Sequence, residues 1–267
     1  MTTSTNVEAA VGDLNLPLEV SEDDRYRVDD PQYFPVGFYP NIRKCVEYSA
    51  INCLRHFFAM GGTKFYPCDG YYDMAARLGN LAVLQCLHDN GLAKSGDYMV
   101  YSYAAKAGHF HVLEWLLAHD FAKGGEACAW AAAAGNLDIL KWLVENGFGK
   151  SDFACAWAAK GGHLHVLEWL VENGFEKTRH ACACAVEAGH LHVVKWLVNN
   201  GFEKNSWACS IAAEDGNLIV LKWLVSLGFP KTNDVWAGAV KNGHLHILQY
   251  LIKKQFPGAE DHRHLLK

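Results

Sequence analysis

Apolar positions in this chain follow a helical period that restarts at fixed intervals. In "GHLHVLEWLVENGF", which begins at Gly162, the apolar residues Leu164, Val166, Leu167, Leu170 and Val171 fall at helical spacing and line one face. The closing "ENGF" puts a glycine where helices commonly end in the left-handed conformation. Related stretches begin at Gly108, Gly135, Gly189, Gly216 and Gly243, a step of 27 residues throughout. A weaker copy begins at Gly79 and a degenerate one at Ser49. This recurring element is termed helix B.

A second helix, helix A, precedes each glycine and is built of small residues: "ACAWAAAAG" from Ala127, "ACAWAAKGG" from Ala154, "ACACAVEAG" from Ala181. Such a face lets neighbouring helices approach closely. Trp115, Trp142, Trp169, Trp196 and Trp223 on helix B are expected to supply the volume that helix A lacks, because interiors are close-packed. Phe121, Phe148, Phe175, Phe202 and Phe229 are expected to cover the end of each unit, and Ser151, Thr178, Asn205 and Thr232 are candidate caps for the next helix A. No strand pattern occurs. The expected class is all-α, an α-solenoid of stacked helix-turn-helix units over residues 41–254, comprising about eight repeats of which the first is degenerate.

"AAAAGNLDILKWLVENG" and its sisters resemble ankyrin repeats, whose pattern runs through an Ala-Ala pair, then Gly-His-Leu, Val-Val and Leu-Leu, and an Asn-Gly or similar end. The resemblance covers residues 41–254. Two departures stand out: the family's usual period is about 33 residues, and its Thr-Pro-Leu-His opening is replaced by segments such as "FACA" from Phe153 and "HACA" from His180. The shortening leaves no room for long β-hairpin fingers. The compact form is similar to ankyrin arrays of protists and of large DNA viruses of algae and amoebae. The resemblance implies a non-catalytic scaffold that binds another protein through its helix A face and adjoining loops.

The repeats also serve as an internal alignment in which a column held in every copy serves the stack. His109, His163, His190 and His244 share a column with Asn80, Asn136 and Asn217, so a hydrogen-bonding side chain opens helix B, for capping or for contact between repeats. His111, His165, His192 and His246 share theirs with Ala82, Asp138 and Ile219, and neither Ala nor Ile binds a metal. A His/Cys metal-binding protein is therefore a third and weakest reading, and no metal is assigned. Cys128, Cys155, Cys182 and Cys209 share one helix A column, where packed helices lie too far apart for disulfides, so they read as small buried hydrophobes in a reducing compartment. With no CxxC, HExxH, GxSxG or phosphate-binding loop, no enzyme and no cofactor are expected.

The variable columns of helix A lie nine, five and two residues before each glycine and share one face. They offer Tyr103, Trp130, Phe153, Trp157 and Trp207, with Lys160 and His180 among them, as a candidate protein-binding face. The competing reading is that these rings cover the seams between repeats. Lys94, Lys123, Lys150, Lys177, Lys204 and Lys231 follow helix B, where the helix dipole favours cations; the last five also form a candidate basic edge. Glu114, Lys141, Glu168 and Lys195 alternate in sign in one column and are expected to face one another across repeats.

Charge narrows the partner class further. A net charge of −5 with pI near 6.3 gives no general attraction to nucleic acid. No apolar run is long enough to span a bilayer, and "MTTSTNVEAAVGDL" lacks a secretory pattern, so a cytoplasmic, intracellular monomer is expected. Residues 1–40 read as an acidic flexible leader in which 31–40 supply an apolar cap, and 255–267 as a short tail. "LNLPLEV", from Leu14 to Val20, resembles the opening of an F-box, which implies a second reading as substrate adaptor of a ubiquitin ligase.

Overall fold

A computed structural model describes residues 42–59, 70–92, 99–124 and 126–262. The expected leader with its cap at 31–40, the Leu14 to Val20 stretch and Lys94 lie outside these residues. The described residues form α1 (Ile42–Glu47), α2 (Ile51–Ala59), α3 (Tyr71–Leu78), α4 (Leu81–Asp89), α5 (Val100–Ala107), α6 (Phe110–Ala118), α7 (Ala127–Ala134), α8 (Leu137–Glu145) and α9 (Ala154–Gly161). The series continues with α10 (Leu164–Glu172), α11 (Ala181–Glu187), α12 (Leu191–Asn199), α13 (Trp207–Glu214), α14 (Leu218–Ser226), α15 (Val235–Lys241), α16 (Leu245–Lys253) and α17 (Ala259–His262). Among the described residues no strand occurs.

The helices divide into two compact units. One contains α1, α2 and all but the first residue of α4. There α1 packs on α2, burying Cys45 and Val46 with Leu54 and Phe57, and α4 buries Val83, Leu84 and Leu87.

The other unit is the solenoid. Its helix A elements α3, α5, α7, α9, α11, α13 and α15 pack in succession, and α6, α8, α10, α12, α14 and α16 each pack on the helix A before them. Small residues set the spacing: Ala154, Cys155, Ala158 and Ala159 of α9 are fully buried against their neighbours. One column carries Tyr72, Tyr101, Cys128, Cys155, Cys182, Cys209 and Trp236, all at most 2% exposed. Bulk is thus placed toward the two ends of the column and cysteine in its middle. Burial pushes the thiols of Cys155, Cys182 and Cys209 up to about 12, so they stay protonated and inert.

Glycine makes the helix A to helix B turn. Gly135 has φ +76°, its N–H donates to Ala132 O at 3.2 Å, and the Asn136 N–H donates to Ala131 O at 3.0 Å, which satisfies carbonyls that the helix end would otherwise orphan.

Three expectations change. The helix B tryptophans are half-buried rather than central: the buried volume of α10 comes from Val166, Leu167 and Leu170, and Trp169 lies against the buried Phe175 with ring centroids 5.9 Å apart. Ser151 and Thr178 do not cap helix A, whose N-cap positions are Phe153 and His180; each hydroxyl accepts from the N–H two residues on, forming a turn ahead of the helix. The Thr232 hydroxyl instead donates to the Asp234 carboxylate, and Asn205 donates to Arg179 O. Among the described residues, the column of Glu114, Lys141, Glu168 and Lys195 forms no ion pair; on helix A, by contrast, Lys160 pairs with Glu187 at 3.0 Å and Lys241 with Glu214 at 3.9 Å. Beyond Lys254 the chain folds back: Phe256 is buried, Trp236 Nε1 donates to Pro257 O at 2.6 Å, and the Trp236 ring stacks on His262 at 4.5 Å.

Candidate functional site

The variable helix A columns of the solenoid emerge on one face because residues four apart share a side of a helix. Five residues before the glycine, Tyr103, Trp130 and Trp157 from α5, α7 and α9 make one continuous file. Ring centroids are 6.4 Å apart for Tyr103 and Trp130, and 4.7 Å in an edge-to-face pair for Trp130 and Trp157. The Lys106 ammonium lies 4.1 Å above the Trp130 ring. All three rings are half-buried, so each covers a seam with part of its surface and presents the rest.

The next column is more open. Phe153 is 47% exposed and Trp207 53%, although large aromatic side chains are usually well covered. His180 lies edge-to-face with Trp207, centroids 5.4 Å apart. Lys160 sits on the same face, its charge tied to Glu187. The structure therefore brings the seven candidate residues into one ring file (Tyr103, Trp130, Trp157), one His–Trp pair (His180, Trp207) and two flanking groups (Phe153, Lys160).

The lysines are arranged differently. Four of them reach across to the following repeat and donate to the carbonyl that ends its helix B: Lys123 to Asn146 O at 2.7 Å, Lys150 to Asn173 O at 2.6 Å, Lys177 to Asn200 O at 2.8 Å and Lys204 to Leu227 O at 2.7 Å. Lys123, Lys150, Lys177 and Lys231 also stand 5.4 to 5.8 Å from the centroid of the next repeat's buried phenylalanine. An ammonium at the negative end of a helix is favoured, so the file clasps consecutive repeats while much of it stays exposed.

Histidine pairs make a second clasp: of the two roles expected for the column of His109, His163 and His244, capping or contact between repeats, these three take the contact between repeats. His163 Nε2 bonds Ala133 O and His165 Nε2 bonds Gly135 O, both at 3.2 Å, so one His-x-His closes the end of the preceding helix A. The same arrangement joins His109 and His111 to Arg77 O and Gly79 O, and His244 and His246 to Glu214 O and Gly216 O. Asn136 donates instead to Ala105 O at 2.9 Å, whereas Asn217 caps its own helix by accepting from the Val220 N–H. Among the described residues, no group of three or more His, Cys, Asp or Glu side chains is placed to hold a metal ion.

Burial lowers the pKa of His163 below 6.5; the bond to Ala133 O works the other way, and the nearby His165 and His190 add to the lowering. Between the lowered folded value and 6.5 the unfolded chain binds more protons than the native one, so stability rises with pH across that window. Guanidinium unfolding should give a lower midpoint at pH 5.5 than at pH 7.5. His163→Asn, which places here the residue its column carries at Asn136, should shrink that difference; an unchanged difference would remove His163 as the cause.

Among the described residues no helix is long and apolar enough to cross a membrane. No curated protein matches the chain. Among solved structures, the human ASB11 ankyrin repeat domain is similar at 19% identity, covering 66% of this chain and 96% of that one, with a TM-score of 0.48. The family model described as ankyrin repeats (3 copies) matches residues 73–154, 130–208 and 154–234. These overlapping matches take in more than half of the sequence, and the chain belongs to the ankyrin-repeat family.

Proposed function

We propose that this protein is a non-catalytic scaffold that binds another protein through the helix A face of its solenoid and the adjoining loops. Ankyrin repeats generally serve as protein interaction modules. The observation that carries the reading is the exposure of Phe153 and Trp207 beside the Tyr103, Trp130 and Trp157 file. Rigid aromatic rings contribute large contact area at little entropic cost, and they are enriched among residues that dominate binding energy. The ion pairs of Lys160 with Glu187 and of Lys241 with Glu214 balance charge within helix A, which favours a partner with apolar groups at its centre.

The test is affinity capture from native lysate with wild type and with Tyr103→Ala/Trp130→Ala/Trp157→Ala, after circular dichroism has shown both to be helical. A partner held by wild type should bind the folded variant at least about tenfold more weakly, the loss expected when central aromatic anchors are truncated. Equal capture would remove the face from the binding site and leave the lysine edge, Lys123, Lys150, Lys177, Lys204 and Lys231, as the candidate.

A further inference from the structure

The sequence places Asn-Gly at 90–91, 146–147, 173–174, 200–201 and 242–243. This dipeptide has its own chemistry. The glycine backbone nitrogen attacks the asparagine side-chain Cγ, the bond from Cγ to the amide nitrogen breaks, ammonia leaves, and a succinimide ring forms. Water then opens the ring to aspartate or, with the main chain rerouted through the side chain, to isoaspartate. Glycine is the most permissive follower because it has no Cβ to shield its nitrogen and its backbone turns freely.

The fold holds both reacting groups in place. Asn90, Asn146, Asn173 and Asn200 each donate Nδ2–H to the carbonyl four residues back, those of Cys86, Trp142, Trp169 and Trp196, all at 2.8 Å. The nucleophile is committed separately: the Gly91, Gly147, Gly174 and Gly201 N–H groups donate to His88, Val144, Val171 and Val198 O at 2.9 to 3.3 Å. Each glycine is fixed in the left-handed region, φ +69° to +79°. For the three central pairs the peptide carbonyl between Asn and Gly is itself gripped by Lys123, Lys150 or Lys177. Asn242, which ends α15, instead donates to Glu214 O of the preceding repeat at 2.8 Å.

We infer that these Asn-Gly pairs are latent deamidation sites, held unreactive by the helix-end geometry and released when a repeat opens. Ring closure requires the side-chain amide to leave its carbonyl and the glycine N–H to leave its own, so both bonds must break first. The product cannot restore them. A carboxylate replaces a donor facing a carbonyl and puts negative charge at the negative end of its helix, while isoaspartate at Asn146, Asn173 or Asn200 lengthens the main chain at the carbonyl that the lysine holds. A transient opening is converted into a permanent weakening of that seam.

Repeats in a stacked array open more readily at its ends than in its middle. Asn242, in the last repeat, is therefore expected to react ahead of Asn173. The experiment takes wild-type protein at mildly alkaline pH, in buffer and in guanidinium, and follows each site by peptide mapping with mass spectrometry and by enzymatic methylation of isoaspartate. In buffer, Asn146, Asn173 and Asn200 should react at least about tenfold more slowly than in guanidinium, as opening-limited sites do, with Asn242 leading them. Equal rates in the two solvents, or Asn173 leading in buffer, would overturn the inference.

Discussion

Leu167→Ala is expected to lower the unfolding free energy by about 2–5 kcal/mol, the range for deleting a buried leucine in a core that relaxes only partly. Leu167 is 0% exposed and lies on the face of α10 that meets α9, whose own contribution is Ala and Cys. A helix of small residues has no long side chains that could move into the cavity, which places this site toward the upper end of the range. Each repeat contacts only its neighbours, so the loss is felt mainly by the repeats around α10, and the guanidinium transition should broaden or split as well as shift. Ile219→Ala provides the contrast: Ile219 lies on a helix B too, but it is 81% exposed, and its removal should change stability by no more than about 0.5 kcal/mol. Similar losses for the two variants would mean that the seam around α10 is not the close-packed interior described above.

The contrast also marks how far the sequence was legible. Helix B could be read because its core is written in period: Val166, Leu167 and Leu170 are the residues the structure buries. Trp169 was misplaced because size was weighed ahead of register; one step along the helix carries the ring off the core face and onto Phe175. The clasps were harder to see because they join residues far apart in the chain, Lys123 to Asn146 and His163 to Ala133, and a column inspected alone hides its partner. A signal did exist: repeats that open with His carry a second His two residues on, as at His109 and His111, whereas repeats that open with Asn carry Ala82, Asp138 or Ile219 there. On helix A the residue types could be read but the exposure could not, because what covers Trp130 is decided by Tyr103 and Trp157 in other repeats.

The histidine clasp has a direct measure in Gly135→Val, expected to cost about 2–5 kcal/mol. Gly135 has φ +76°, where a Cβ crowds the following carbonyl and an L-residue pays about 1–2 kcal/mol, with β-branched valine the worst placed. A Cβ there would also lie 2.7 to 3.0 Å from the His163 ring, too close unless the ring moves. If the ring swings out, its bond to Ala133 O is lost, and the neighbouring bond of His165 to Gly135 O is disturbed, at about 0.5–1.5 kcal/mol each. Gly201→Val separates the two contributions: φ is +79° and nothing lies within 4 Å of the added Cβ, so only the backbone cost of about 1–2 kcal/mol applies. The difference between the two variants, read from guanidinium midpoints, is the contribution of the clasp to holding two repeats together. If they are equally destabilised, the His-x-His pairs decorate the seam without stabilising it, and the packed helix A faces and the lysine file are what hold one repeat to the next.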